Sequence, residues 1–170
     1  DSFQERDLIK SNFNNIGFES KLIHQFNILE KEITFLLGTK IFYGTNSSEQ
    51  GPGSDGVGAN FNFYSNNYPN YQSQSYYSNP NWNYAFFGEQ IISLNDKMSL
   101  TPGFRFEYIK TSSEGYYREV NTDAAQNIIM NNLISTFQER ERSFILLGLG
   151  YSYHFFSWLD LYINCSQNYR

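Results

Sequence analysis

The sequence predicts an all-β fold: an antiparallel meander of about six long strands that forms part of a transmembrane β-barrel. Three observations predict this fold. Apolar and polar residues alternate with a period of two in successive stretches, and the connections between these stretches are alternately short and long. Each stretch also has roughly the 9–11 residues that a tilted strand needs to cross the hydrocarbon layer. One face of the meander is then expected to meet lipid and the other a wet lumen.

The composition excludes several other classes of protein. The 170 residues are 19% aromatic and only 17% charged, and 12 Lys and Arg against 17 Asp and Glu leave a formal net charge of −5. No basic surface for nucleic acid is therefore expected. The single cysteine, Cys165, excludes an internal disulfide, and no Cys/His cluster has zinc-ligand spacing. No apolar run reaches the roughly 18 residues of a spanning helix, and residues 1–6 do not resemble a signal peptide.

The six strands are predicted near residues 13–26, 33–44, 83–94, 98–111, 143–154 and 158–170. Five of them have a clear apolar face, formed in chain order by Ile16, Phe18, Leu22 and Phe26; by Ile33, Phe35, Leu37, Ile41 and Tyr43; by Met98, Leu100, Phe104, Phe106 and Tyr108; by Ile145, Leu147, Leu149, Tyr151 and Tyr153; and by Leu159, Leu161 and Ile163. In 83–94 the alternation is blurred, so the facing of that strand stays open.

Strand 98–111 has the clearest alternation of charged and aromatic residues. Phe104, Phe106 and Tyr108 alternate with Arg105 and Glu107, so the two sets point to opposite faces. The residues expected to face the lumen are Arg105, Glu107, Asn168 and Arg170. The lumen charges either pair with neighbouring lumen groups or meet an anionic ligand, and the structural role is favoured because large barrels have charged lumens.

The connections follow the pattern of outer-membrane barrels. Residues 27–31, 95–97 and 155–157 form short turns, whereas 45–82 and 112–141 are predicted to be long extracellular loops. A helical turn within 123–137 is only weakly indicated because its middle is rich in Asn. Long loops are uncommon in compact soluble domains, but transmembrane barrels combine short periplasmic turns with long outer loops. A soluble sandwich or a lipocalin-like barrel is the alternative.

Aromatic residues cluster near the predicted strand ends, where a ring can lie between the apolar layer and water. They are expected to form the interface girdles of the barrel. The members of this set are Phe26, Tyr43, Tyr108, Tyr153, Phe155, Phe156 and Trp158.

Several stretches resemble a known family. Phe87-Gly88-Glu89, followed after a tight turn by residues 95–108 (NDKMSLTPGFRFEY), is similar to the mid-barrel signature of TonB-dependent outer-membrane receptors. Residues 147–153 and 161–170 resemble later barrel strands of that family, and Gly51–Ala59 resembles a loop of its ferric-citrate-type members from Bacteroidetes-like bacteria. The resemblance extends over essentially the whole chain.

This resemblance implies a function and a set of partners. Family members have a TonB box, a plug domain and about 22 barrel strands, so the six strands here are expected to be an internal fragment without the plug. The resemblance implies a Gram-negative outer-membrane receptor that contacts lipid and takes up ferric citrate or a siderophore. The TonB complex would supply energy through the plug domain. The alternatives are a receptor of this type for an oligosaccharide or a cobalamin-like ligand, and a soluble secreted glycan-binding β-protein.

Enzymatic chemistry finds no support in the sequence. There is no H-E-x-x-H, no G-x-S-x-G and no P-loop, since the glycines of 51–58 are not followed by Lys-Ser/Thr. Cys165 lies on an apolar strand face and is expected to be an inert small apolar residue. The sequence therefore predicts a protein that is not an enzyme, has no cofactor and has no metal ligated by its own side chains. Iron would arrive within its chelate.

The long connections carry the candidate ligand contacts. Tyrosine and tryptophan rings among Asn, Gln and Ser resemble adaptable recognition surfaces, and guanidinium groups suit an anionic chelate. The alternative is that these segments only pack against each other. The candidate residues are Tyr68, Tyr71, Tyr76, Tyr77, Trp82, Tyr116, Tyr117, Arg118, Arg140 and Arg142.

Overall fold

The computed structural model describes residues 6–28, 31–53, 62–63, 73–125 and 127–169. It contains six strands in one sheet whose spatial order equals the chain order. The strands are β1 (Asp7–Ile28), β2 (Lys31–Pro52), β3 (Ser75–Asn95), β4 (Met98–Thr122), β5 (Ile128–Phe156) and β6 (Leu159–Ser166). The predicted all-β antiparallel meander is confirmed. Within the described ranges there is no helix that is both long and apolar enough to span a membrane.

The strands extend well into the segments that the sequence predicted to be long loops. β2 continues to Pro52 and β3 begins at Ser75, while β4 and β5 continue to Thr122 and from Ile128. The loop assignment of 45–82 and 112–141 is therefore wrong wherever these strands occupy it. The helical turn that was only weakly indicated within 123–137 is replaced, in the described residues, by a turn at 124–125 and by strand from Ile128. These segments carry polar residues on both faces, so they show no apolar alternation that would identify a strand. At the other end, β6 stops at Ser166, earlier than the predicted 158–170.

The turn between β4 and β5 is closed by one carboxylate. Asp123 accepts hydrogen bonds from the backbone N–H of Ala125 (2.9 Å), the backbone N–H of Asn127 (2.8 Å) and Asn127 Nδ2 (3.0 Å). The Asn127 side chain, then its backbone N–H and that of Ala125, hold the pKa of Asp123 below its ordinary value, because each bond favours the ionised form. The 112–141 connection is thus a long hairpin with a tight, hydrogen-bonded tip.

The chain divides into two compact units. Unit 1 comprises Asp1–Asn15, Gly44–Asn81 and Thr111–Arg140, and unit 2 comprises Ile16–Tyr43, Trp82–Lys110 and Glu141–Arg170. Unit 2 collects nearly all the segments that the sequence predicted to cross the bilayer. Unit 1 collects the segments that were predicted to be outer loops.

In unit 2, the pairing of β5 with β6 separates apolar from polar residues. Tyr151 lies opposite Ile163 and Tyr153 lies opposite Leu161. The residues between them pair on the other face of the sheet; these pairs are Gly150–Asn164, Ser152–Tyr162 and His154–Asp160. His154 Nδ1 and Asp160 Oδ1 are 2.5 Å apart on this second face. The predicted two-faced pattern is therefore present in the strand register.

The facing of β3, open from the sequence, is settled by ring contacts within unit 2. The Phe86 ring lies 5.8 Å from that of Phe104, which belongs to the apolar face of β4. The neighbouring Phe87 points the other way, since Arg105 Cζ lies 5.2 Å from its ring centroid. Even-numbered residues from Trp82 to Phe86 therefore share the apolar face, and Phe87 is an aromatic ring on the polar face.

Burial in unit 2 is the reverse of that in a soluble sandwich. Phe104 and Phe106, in the middle of the sheet, are 38% and 39% exposed, whereas Glu107 between Phe106 and Tyr108 is only 8% exposed. Among the described residues, only Ile33 and Ala85 are buried apolar side chains. Large rings on an outer surface and a buried carboxylate on the opposite face suit a sheet whose apolar side meets lipid.

Candidate functional site

A row of aromatic rings crosses the apolar face of unit 2. Trp82 lies 4.4 Å from Tyr43 and is stacked on Tyr84, with centroids 5.9 Å apart and planes inclined by 5°. Tyr84 in turn lies 6.1 Å from Tyr108. Trp82, a predicted ligand contact, thus belongs to the row that contains two predicted girdle residues. This position favours a girdle role for Trp82 over ligand capture.

A second aromatic group lies at the β5–β6 turn. Tyr153 and Phe155 meet edge to face at 4.4 Å, and Phe156 is stacked on Trp158 at 5.5 Å. The backbone N–H of His154 donates to Lys97 O (2.8 Å), which places this group level with the start of β4. From Lys97 to Tyr108 the rise is about 36 Å along the strand, or about 26 Å at a tilt of about 45°, close to the ~25 Å apolar band of outer-membrane barrels.

The polar face of unit 2 carries a fixed charged pair. Glu107 accepts hydrogen bonds from Arg105 Nε and from Asn83 Nδ2, the latter at 2.6 Å. The Arg105 guanidinium lies over the Phe87 ring, and Lys21 Nζ is 6.0 Å from the same ring centroid. Arg105 and Glu107 are thus hydrogen-bonded to each other, and this arrangement favours their structural role over contact with an anionic chelate.

In unit 1 the predicted ligand-binding tyrosines divide into two sets. β3 carries the adjacent pair Tyr76-Tyr77, and β4 carries the adjacent pair Tyr116-Tyr117. The rings of Tyr76 and Tyr116 are stacked, with centroids 6.4 Å apart and planes inclined by 30°. Successive side chains of a strand point to opposite faces, so Tyr77 and Tyr117 lie on the other side of the sheet. The tyrosines line two surfaces, not one.

The first surface, called here the Tyr76–Tyr116 cleft, has a volume of about 540 Å³. Its lining residues are three aromatic residues, three hydroxyl residues, one acidic residue and one glycine: Tyr76, Tyr116, Phe137, Ser78, Ser135, Thr136, Glu114 and Gly115. Thr136 alternates with Ser135 and Phe137 on β5, so its hydroxyl points to the other face of the sheet. Sequence reasoning missed Glu114 and the β5 residues, because their proximity to Tyr76 depends on strand pairing and not on spacing along the chain.

The second surface, called the Tyr77–Tyr117 cleft, has a volume of about 380 Å³. It is lined by the side chains or backbone of Gln50, Gln74, Ser75, Tyr77, Tyr117, Arg118 and Val120. Gln74 connects the strands around it, since its N–H donates to Gln50 O and its carbonyl accepts from the N–H of Arg118, both at 2.8 Å. The two glutamines were not among the predicted contacts.

The Arg118 guanidinium is committed to internal hydrogen bonds. Its Nε donates to Ser73 O (3.1 Å) and its Nη1 to Asn131 Oδ1 (3.2 Å). Ser73 is itself 8% exposed, and its hydroxyl is hydrogen-bonded with the phenol of Tyr116. Arg118 therefore joins the start of β3 to β5. Its predicted contact with an anionic ligand stays a prediction.

The remaining predicted residues lie outside both clefts or outside the described ranges. Arg140 and Arg142 are exposed on β5, and Asn168 is exposed after the end of β6. Tyr68, Tyr71 and Arg170 fall outside the described residues. In the part of the chain that the structure describes, no three His, Cys, Asp or Glu side chains are grouped closely enough to hold a metal ion. The absence of a cofactor stays a prediction.

Comparison with known proteins identifies a family. The family model described as "TonB dependent receptor-like, beta-barrel" matches residues 2–170. A search of curated proteins returned no match.

Several solved receptor structures share the fold. The closed form of the ferric-catecholate import receptor Fiu from E. coli K12 has a TM-score of 0.70 at 12% identity, covering 92% of this chain and 23% of that one. The unliganded ferric citrate transporter FecA has a TM-score of 0.67 at 17% identity, with 93% and 20% covered. The ferric yersiniabactin uptake receptor FyuA from Yersinia pestis has a TM-score of 0.55 at 13% identity, with 88% and 20% covered. The chain spans about a fifth to a quarter of these receptors.

Proposed function

The chain belongs to the TonB-dependent receptor β-barrel family, and we propose that it forms part of the wall and outer surface of a receptor that imports a ferric chelate across the outer membrane. Members of this family are transporters and not enzymes, which agrees with the prediction made from the sequence. They are located in the outer membrane of Gram-negative bacteria. The same location is proposed for the protein that contains this chain.

The observation that carries the proposal is the two-faced wall of unit 2. Its apolar face lies between two aromatic groups separated by about 36 Å along β4, a rise that spans the ~25 Å apolar band of outer-membrane barrels at their usual strand tilt of about 45°. Its opposite face holds a buried carboxylate, Glu107, satisfied by Arg105 and Asn83, as expected of a wall that faces a polar lumen. This combination supports a membrane wall over a soluble glycan-binding β-protein.

The ligand class is supported by the structural neighbours and by unit 1. Three neighbours that share the fold are named for different chelates, ferric catecholate, ferric citrate and ferric yersiniabactin, so the proposal is limited to a ferric chelate as a class. In unit 1, the Tyr77–Tyr117 cleft offers two phenols and two amide side chains as contacts for such a ligand. We propose that the iron arrives within its chelate and that transport is energised by TonB through a plug domain.

The proposal is tested by iron uptake in cells that produce the full-length receptor. Radiolabelled ferric citrate and a panel of ferric siderophores are supplied, and uptake is measured with and without a proton-motive-force uncoupler. We expect uncoupler-sensitive uptake of at least one chelate and its loss in a deletion strain. Unchanged uptake of every chelate in the deletion strain contradicts the proposal, and uptake of an oligosaccharide or cobalamin instead would support the alternative substrates.

The contribution of the Tyr77–Tyr117 cleft is tested separately. The double variant Tyr77→Ala/Tyr117→Ala removes both rings, and binding of the transported chelate is expected to fall by about tenfold or more. The matched control is Tyr77→Phe/Tyr117→Phe, which keeps the rings and should keep most of the affinity. Wild-type affinity in the alanine variant would place chelate capture elsewhere in the receptor.

A further inference from the structure

The Tyr76–Tyr116 cleft differs in chemistry from the chelate surface proposed above. Its aromatic rings are accompanied by the hydroxyls of Ser78 and Ser135 and by the carboxylate of Glu114. No Lys, Arg or His side chain is among the described residues that line it. An anionic chelate would meet an exposed carboxylate with no compensating cation there, so this cleft is poorly suited to the ligand proposed for the receptor.

The rings of the cleft are held in place before any ligand arrives. The phenol of Tyr116 is hydrogen-bonded with the hydroxyl of Ser73, and Ser73 is 8% exposed. Gly115 lies directly against Tyr76, because a Cβ at position 115 would be 2.0 Å from Tyr76 O and 2.7 Å from Tyr77 Cδ1. Only glycine allows β4 to lie this close to β3, and this close approach positions the stacked rings. A preorganised surface loses less entropy on binding.

We propose that the Tyr76–Tyr116 cleft binds a neutral oligosaccharide. The C–H face of a pyranose ring stacks on a tyrosine, and its hydroxyls exchange hydrogen bonds with serine hydroxyls. The Glu114 carboxylate is an acceptor for two sugar hydroxyls and forms the stronger, charge-assisted type of bond. The cleft volume of about 540 Å³ lies within the usual range for small-molecule sites.

A quaternary ammonium ligand is the competing interpretation, because tyrosine rings and a carboxylate also attract such a cation. The hydroxyl groups decide between the two. Ser78 and Ser135 provide donors as well as acceptors, and a quaternary ammonium group neither donates nor accepts a hydrogen bond. The exposed Phe137 ring adds a second aromatic platform at the β5 edge of the cleft, as an extended chain of sugars requires.

The test uses the purified full-length receptor in detergent and a panel of neutral hexasaccharides of glucose, xylose, mannose and galactose, with tetramethylammonium as the cationic probe. Binding is measured by calorimetry and saturation-transfer NMR. We expect one of the sugars to bind, Tyr76→Ala to weaken it about tenfold and Glu114→Gln to weaken it about three- to tenfold. Tyr76→Phe keeps the ring and should bind normally, and Tyr77→Phe is the control on the opposite face.

Three results would overturn the proposal. One is that no neutral hexasaccharide binds to a receptor whose strand content matches wild type by circular dichroism. Another is that sugar binding persists unchanged in both Tyr76→Ala and Glu114→Gln. The third is that tetramethylammonium binds and no sugar does, and that Tyr76→Ala and Glu114→Gln weaken the binding of tetramethylammonium. Ferric-chelate uptake by Glu114→Gln is measured in parallel and should be normal, so the sugar site and the transport function succeed or fail independently.

Discussion

The ring of Phe87 covers Gly38. A Cβ built at position 38 would lie 2.3 Å from Phe87 Cζ and 2.4 Å from its Cε2, so no side chain other than hydrogen fits beneath the ring. The same ring lies near the cationic groups of Lys21 and Arg105. The Phe87 ring, on the polar face of unit 2, is thus close both to the Gly38 backbone and to two cationic side chains.

Replacing Gly38 with alanine is expected to destabilise the receptor by about 1–3 kcal/mol, because the new methyl group overlaps the Phe87 ring. Denaturant unfolding in detergent micelles measures the change. Gly17→Ala is the matched control, since a Cβ there would lie at an ordinary 3.5 Å from Ile41 O and Phe42 Cδ2, and its effect should stay within about 0.5 kcal/mol. In a Phe87→Ala background the cost of Gly38→Ala should disappear; equal costs in both backgrounds would show that the ring is not its cause.

Removing the Arg105 side chain is expected to cost about 1.5–3 kcal/mol, because Glu107 is 8% exposed and loses a charged partner. The measurement is again denaturant unfolding of Arg105→Ala. The comparison variant is Lys21→Ala, which breaks the Lys21–Glu19 pair, whose side chains are 51% and 40% exposed. That exposed pair should contribute no more than about 1 kcal/mol. If Lys21→Ala lowers the free energy of unfolding by more than Arg105→Ala does, the expectation that the buried pair contributes more than the exposed pair is wrong.

The sequence predicted those strands in which one face of the sheet is apolar and the other is polar. Phe104, Phe106 and Tyr108 alternate with Arg105 and Glu107 because one side of β4 is apolar and the other polar, and the structure has the same arrangement. Beyond residue 111 the alternation stops, although β4 continues to Thr122. A strand with polar residues on both faces has no hydrophobic period, so sequence patterning could not extend it.

Trp82→Ala is expected to lower stability and leave chelate binding unchanged, since Trp82 is stacked within the row formed with Tyr43 and Tyr84. The aromatic pair contacts alone are worth about 0.5–1.5 kcal/mol beyond the buried area. Unfolding and ligand-binding measurements on the same protein separate the two effects. Tyr77→Ala should show the opposite profile, with weaker binding and near-normal stability. If Trp82→Ala binds the chelate more weakly than the wild type does, Trp82 is a ligand contact as the sequence predicted.

The β4–β5 turn is expected to loosen in acid. The pKa of Asp123 is lowered in the folded turn, chiefly by the Asn127 side chain, so the turn is stabilised above the unfolded pKa of this carboxyl group. That stabilisation is lost as the pH falls through the lower, folded pKa. Hydrogen exchange of the Asn127 amide, relative to the variant Asp123→Asn, checks this expectation. The exchange rates of this amide in the two proteins should differ at neutral pH and become equal in acid. A ratio of the two rates that does not depend on pH would contradict the expectation.

Epitope insertion tests the orientation of the sheet. The Asp96-Lys97 turn and the Ala124-Ala125 turn lie at opposite ends of β4. With the β4–β5 hairpin outside, antibody should label intact cells that carry an epitope after Ala124. An epitope after Asp96 should become accessible only after the outer membrane is opened. Labelling of intact cells through Asp96 would invert the proposed topology.

The candidate site was less predictable than the wall. Tyr76, Tyr77, Tyr116 and Tyr117 were identified by composition, but their division between two surfaces of the sheet could not be predicted. The division depends on which residues of β3 and β4 lie side by side, a relationship fixed by strand pairing. Trp82 was assigned to a loop because polar residues precede it, although its ring packs with Tyr43 from a strand 39 positions earlier in the chain.

The close approach of Gly115 to Tyr76 has a consequence for how such receptors diversify. A slip of β3 by one residue would turn its whole run of side chains over, so that Tyr77 would replace Tyr76 beside Glu114. Pairing of β3 with β4 in the present register, in which Gly115 lies against Tyr76, therefore places one tyrosine of each pair on each surface. It keeps the two surfaces chemically separate, so substitutions that retune one surface leave the other as it was.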